Sequence, residues 1–342
     1  MRSPEKWSVL ALLRFVLAAI VTVNHLGEYT DLRSLAVVPR FGAFEAILGF
    51  LLISGYSVGT SFLAKPKGFL LRRLQRIYPI YLAAIVLTFL VEPAQPTFAF
   101  LTSIALNLAF LNQALTTTSY VGPAWSLSLE FWLYALANWF SRQSESRLRL
   151  LTYASFAAYC VYTCVRTLLH APYYSGVGLG ANLVFLSFAW LCGFELARFG
   201  SESARRRTLA ELGVFLGVHL VLQSGIQFLH QVKHDQIQDF FRRDLADGLC
   251  QATTLLIVWL AFRFFVVNDG GRQVRKESAV MRLLGDISYP LYLTHVPVFM
   301  LVRRAGVENA YSHFCIAVAA AFVIYEALDQ YSKRRGVRLA LQ

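Results

Sequence analysis

The sequence predicts an all-α integral-membrane protein, a bundle of about ten transmembrane helices with both termini cytoplasmic. Three observations predict it. The 342 residues are 56% hydrophobic and only 15% charged, whereas soluble domains carry about 25% charged residues. The apolar residues come in long runs, such as 245–266 and 311–328, that approach or reach the ~20 residues a bilayer-spanning helix needs. The Lys and Arg residues behind the net charge of +12 cluster in the short connections between these runs, where they set membrane orientation. That distribution argues against a nucleic-acid partner and for membrane lipid.

Arg2 and Lys6 precede the first apolar run, 8–27. No small-x-small cleavage site follows it clearly, so it reads as an uncleaved first helix. Further spans are expected at about 42–63, 77–91, 123–140, 150–169, 179–198, 208–229, 245–266, 284–302 and 309–329. The run 98–111 has 14 residues, a length typical of re-entrant or interfacial segments. With about ten spans and the N-terminus inside, 22 of the 32 Lys/Arg fall in inner connections and seven in outer ones. Adding 98–111 as a further span reverses the bias to 12 inside and 17 outside, against the positive-inside rule. The charge count does not say which of 77–91 and 98–111 stays out. The run 77–91 continues from a basic stretch that anchors it at the cytoplasmic face, so it is the one expected to cross. The whole chain, 1–342, reads as one transmembrane domain.

Ionisable residues inside spans are costly and are functional suspects. In the first span Arg14 and His25 lie ~16 Å apart along a helix and on about the same face, a separation comparable to the pantetheine arm of coenzyme A. Two readings stand. Either Arg14 holds a phosphate-bearing end while His25 meets a thioester, or Arg14 snorkels to the interface and His25 bonds a neighbouring helix. In the inner connection Lys65–Tyr78, Arg73 and Arg76 fall on one side of a helix. Guanidinium groups suit bidentate phosphate binding, although a purely topogenic cluster would look the same.

The segment Gly122–Glu130 opens the fourth span, with Pro123 suited to its first turn. Glu130, about two turns in, needs a partner and is expected to orient His25 and stabilise its imidazolium. Ser126 and Ser128 rank below His25 as nucleophiles, because no nucleophile elbow surrounds them. Trp125, Ser126 and Ser128 are also pocket candidates. In the ninth span Ser288, Tyr289, Tyr292 and His295 are candidates to line a cavity, with Pro290 and Pro297 expected to interrupt the helix and free carbonyls. A kinked packing helix is the alternative. Gly55 and Gly59 read as close helix packing.

The cysteines Cys160, Cys164, Cys192, Cys250 and Cys315 lie in apolar segments without redox or metal spacing. His170, His230, His234 and His313 fall in or near outer loops or span ends, and His219 reads as a lone polar residue in an apolar helix. No pair has zinc-site spacing, so no metal is expected.

Taken in chain order, Arg14-x10-His25, Phe50–Tyr56 (FLLISGY), Arg73-x-x-Arg76, Pro123–Tyr134 (PAWSLSLEFWLY) and Ile287–His295 (ISYPLYLTH) resemble the acyltransferase-3 family of bacterial integral-membrane acyltransferases. The resemblance spans residue 8 to about 329. It implies an acyl-CoA donor, usually acetyl-CoA, taken from the cytoplasm, and a hydroxyl on a surface glycan or lipid-linked oligosaccharide as acceptor. It also implies a multi-pass place in the bacterial inner membrane, with exopolysaccharide modification among the family's roles. By the same resemblance His25 is the favoured catalytic residue, Arg14, Arg73 and Arg76 are its arginine partners, and Glu130 is the acid after the tryptophan–serine motif. Many members carry an acid two positions before the paired aromatics of the second span. Here Leu48 stands there, and Glu45, three residues earlier, either substitutes as a partner for His25 or has no role. The rival class is a secondary transporter or glycan flippase, which about ten spans and intramembrane charges would also suit.

Overall fold

The computed structural model describes residues 4–267 and 278–334. The inner-side residues Arg2, Arg272, Arg275, Lys276, Arg335 and Arg338, counted above for orientation, lie outside the described residues. The structure is 83% helical, and no strand occurs among the described residues. It is an all-α membrane bundle.

The helices follow the apolar runs. α1 (Pro4–Leu26) leads through a 3-10 segment, Arg33–Phe41, to α2 (Ala43–Ala64). A tight turn at Gly68, whose φ of 67° favours glycine, opens α3 (Phe69–Val91). The basic stretch is therefore mostly helix, with only residues 65–68 left as connection. Of its apolar residues, Leu71 faces outward, whereas Phe69 is buried against Phe62.

α4 (Phe98–Leu108) has 11 residues, about 16 Å at 1.5 Å per residue, which is too short to cross a bilayer. α3 is long and apolar enough to cross and α4 is not. The chain after α4 is held by Asn107. Its amide nitrogen donates to the Thr118 carbonyl at 3.0 Å and its amide oxygen accepts from the Tyr120 N–H at 2.9 Å. The Phe110 carbonyl then accepts from Ser128 Oγ at 2.5 Å and Trp132 Nε1 at 2.9 Å. Backbone groups at this depth are thus satisfied within protein, as lipid requires.

α5 (Trp125–Ser141), α6 (Glu145–Leu169), α7 (Ala181–Arg198) and α8 (Glu202–Lys233) follow. The single turn α9 (Ile237–Asp239) passes through a π-helical stretch into α10 (Leu245–Phe262). α11 (Ala279–Arg304) and α12 (Ala310–Arg334) complete the bundle. Each expected span falls on one of these helices. Eight helices among the described residues are long and apolar enough to cross a membrane.

Pro290 and Pro297 were expected to interrupt α11, but it runs as one helix through both. The two prolines remove the N–H groups that would bond the Asp286 and Leu293 carbonyls, and packing against neighbouring helices keeps α11 continuous past them.

Close approaches set the packing. α2 packs most extensively on α7. A Cβ on Gly55 would overlap the Trp190 carbonyl, one on Gly59 would sit 2.7 Å from Ala197, and one on Gly193 would overlap the Leu52 carbonyl. The small-residue reading of Gly55 and Gly59 therefore holds, with Gly193 as their counterpart across the interface. Likewise Gly285 of α11 lies against Ala11 of α1. This contact fixes the two helices that carry the histidine pair described next.

Candidate active site

Two features meet in the middle of the bundle: a cavity lined with arginines and a pair of hydrogen-bonded histidines.

The cavity has about 100 Å³ of free volume between α1, α2, α3, α5 and α11. Arg14, Arg73 and Arg76 all line it, together with Glu130. The first two turns of α3 carry Arg73 and Arg76 inward, where they meet Arg14 from the centre of α1. Arg73 donates to Ser61 Oγ at 2.6 Å and to the Ser57 carbonyl at 3.3 Å. Its guanidinium stacks 5.7 Å over the Tyr134 ring. Arg14 interacts electrostatically with Arg76, Glu130 and Asp286. Three guanidinium groups against one lining carboxylate make this an anion-attracting chamber. Glu130 also interacts electrostatically with Tyr134, so its neighbours are the arginine group and a tyrosine one turn along α5. Ser126, Ser288, Tyr289 and Tyr292 line the same space. Toward the α2–α3 turn, a second recess lined by Lys67, Phe69 and Asn138 shares Tyr134 with the cavity.

His25 closes α1 and faces α11. Its Nδ1 lies 3.0 Å from Nε2 of His295, and the rings stack with centroids 5.1 Å apart. The hydrogen-bond pattern fixes both tautomers. His295 Nδ1 is 2.9 Å from the Leu291 carbonyl, which can only accept, so Nδ1 carries the proton and Nε2 the lone pair. That lone pair must receive the proton on His25 Nδ1. The Nε2 of neutral His25 is therefore left with its lone pair, the form a general base requires. His295 is fully buried while His25 is half-buried.

These contacts correct three expectations. The ring partner of His25 is His295, whereas Glu130 faces the arginines; the acid that interacts electrostatically with His25 is Glu28. Glu45 does not substitute, because its Oε1 bonds His219 Nε2 at 3.0 Å. His219 in turn is no lone polar residue, since its Nδ1 lies 2.6 Å from the Tyr159 hydroxyl. Of the pocket candidates, Trp125 and Ser128 are buried in packing, and the Ser128 hydroxyl is committed to the Phe110 carbonyl. Between the arginine cavity and the histidine pair stands Tyr292. Its hydroxyl is 2.7 Å from Ser126 Oγ and its ring is 6.4 Å from that of His295.

Sequence reasoning passed over Asp286, which interacts with Arg14 and Arg76. The signal was present, as an acid inside an expected span. The His25–His295 pairing had no signal, since a contact 270 positions apart follows only from how α1 and α11 pack.

The fold and site define a polytopic membrane protein that holds a cluster of polar and charged side chains inside its helix bundle. The chain belongs to the acyltransferase-3 family, whose acyltransferase domain matches residues 7–327. It is also similar to a protein of Acidianus two-tailed virus named as an acetyltransferase, ORF330, with 23% identity over 287 residues. That match covers 80% of this chain and 74% of the viral protein. No solved structure matches.

Proposed function

We propose that this acyltransferase moves an acyl group, acetyl in the first instance, from acyl-CoA to a hydroxyl of a cell-surface or lipid-linked glycan. It does so as a multi-pass protein of the bacterial inner membrane with both termini cytoplasmic. The observation that carries the proposal is the histidine relay, which leaves His25 Nε2 unprotonated at the end of α1, beyond a chamber of three arginines.

In this reading the CoA phosphates bind Arg73, Arg76 and Arg14 from the cytoplasmic side, since bidentate guanidinium groups match phosphate oxygens. The thioester passes Tyr292 to reach His25. His25 Nε2 takes the proton of the acceptor hydroxyl as its oxygen bonds to the thioester carbon. The carbon–sulfur bond then breaks, and the departing CoA sulfur recovers the proton from Nε2–H. Both histidines start neutral, and His295 keeps the proton on the side of His25 away from the reaction. Glu130 balances the arginine charge and holds it open toward the cavity.

The test is acyl transfer in proteoliposomes that contain a glycan acceptor, with label on the acyl group. Label on the glycan without net solute movement is expected. Net transport without acylation would support the transporter reading instead.

A further inference from the structure

A second cavity, unused by this mechanism, opens where α1 ends. Its free volume is about 340 Å³, more than three times that of the arginine chamber. Successive helices run antiparallel, so the C-terminal ends of α1, α6 and α8 and the N-terminal ends of α2 and α10 share this side of the bundle. Asn24, the neighbour of His25 in sequence, lies in its wall.

The charge of this wall is opposite to that of the first cavity. Glu45, Asp244 and Asp247 line it against a single guanidinium, Arg166, and that one is stacked on Tyr173 and Tyr174 at 5.3 and 5.9 Å. The acids are held in place. Gln223 Nε2 donates to the Tyr159 hydroxyl at 3.3 Å, that hydroxyl meets His219 Nδ1, and His219 Nε2 reaches Glu45 at 3.0 Å. Asp244 accepts from Gln231 at 2.8 Å, and Asp247 lies 3.5 Å from Arg40. Gly42, at a φ of 81°, leaves room that a Cβ would take from the Glu45 carboxylate.

By contrast, the side chains of Asn24, Ser224, Gln227 and Gln251 line the space and have no hydrogen-bond partner among the described residues. Aromatic surface is present as well, with Tyr173 lining the space and 45% exposed. Amides and carboxylates bond vicinal hydroxyls, and aromatic faces cover the C–H face of a pyranose. A net acidic wall repels uronates and phosphates.

We infer that this cavity is the acceptor site and that it selects a neutral or amino sugar over an anionic one. The inference rests on the acyl-transfer reading for its role but not for its measurement. Sugar binding is read by saturation-transfer NMR on the protein in nanodiscs, with cellotetraose, tetra-glucosamine and tetragalacturonate as probes. Acetyl-CoA binding is measured separately on the same preparations.

The neutral or amino tetramer should bind at least tenfold more tightly than the uronate. Gln227→Leu with Gln251→Leu should weaken that binding tenfold or more while acetyl-CoA affinity stays at the parent value, which also reports an intact fold. Asp247→Lys should narrow the preference against the uronate. Preferred binding of tetragalacturonate overturns the inference, and so does the absence of any sugar signal from protein that binds acetyl-CoA. Sugar binding without any acetyl-CoA binding would sink the acyl-transfer reading and leave a saccharide site standing.

Discussion

A neutral histidine is a base only at the nitrogen without the proton, so the partner of the other nitrogen decides where its ring reacts. For His25 that partner is His295, itself fixed by the Leu291 carbonyl. Replacing His295 with Phe frees the His25 tautomer, and thioester turnover should fall by roughly 10²-fold with acyl-CoA KM little changed. His295→Gln places an amide oxygen near the lost Nε2 and should recover part of the rate. Equal activity in all three proteins would show that the relay has no part in catalysis. The same scale holds the Glu45–His219 pair, in which both side chains are almost wholly buried. Deleting the ring in His219→Leu leaves the carboxylate without its partner and should cost about 3–5 kcal/mol, read as a lowered unfolding temperature. Arg14, His25 and Glu130 were visible in the sequence because ionisable groups in apolar runs are rare, and Arg73 and Arg76 because their three-residue spacing puts both on one side of a helix. Their pairing was not visible, because a run of residues does not say which helix faces which. The expectation that Glu130 would serve His25 therefore went to the wrong carboxylate neighbourhood, while His295 looked like one more pocket residue.

Helices and their contacts form the next scale. Long apolar runs marked the spans, and loop charge left room for only one of 77–91 and 98–111 to cross. The short length of 98–111 and the basic anchor of 77–91 pointed to 77–91 as the crossing helix. Boundaries were less legible. The start of α3 was hidden because its first turns are basic, and basic residues also mark connections. The straight run of α11 through two prolines was not legible either, since only packed neighbours decide whether a proline breaks a helix. The α2–α7 interface makes a prediction at this scale. Gly55→Leu forces a side chain into the Trp190 backbone and should lower stability by about 1–3 kcal/mol or more, seen as a reduced melting temperature in detergent. Gly217 has open space around its Cβ position, so Gly217→Ala should leave the melting temperature unchanged or slightly raised. A similar loss at both positions would mean that the helices do not pack as described.

Across the whole molecule, a positive chamber and an acidic cavity lie on either side of the layer that holds Tyr292 and the histidine pair. That division suits an enzyme whose donor is a polyanion and whose acceptor is not. It was only half legible in the sequence. The arginines of the positive side lie within the first quarter of the chain, at residues 14, 73 and 76. The acids of the other wall come from α2, the π-helical stretch before α10 and α10 itself, and they look isolated when read in line. The central claim is that His25 activates the acceptor while the arginines hold the donor. The most direct test is cleavage of labelled acetyl-CoA by purified protein, with acetyl-CoA binding measured in parallel for the parent, His25→Ala and Arg73→Ala. The account predicts turnover reduced by roughly 10²–10⁴-fold in His25→Ala with donor binding retained, and weakened donor binding in Arg73→Ala. A His25→Ala protein that binds acetyl-CoA and turns it over at the parent rate would contradict it.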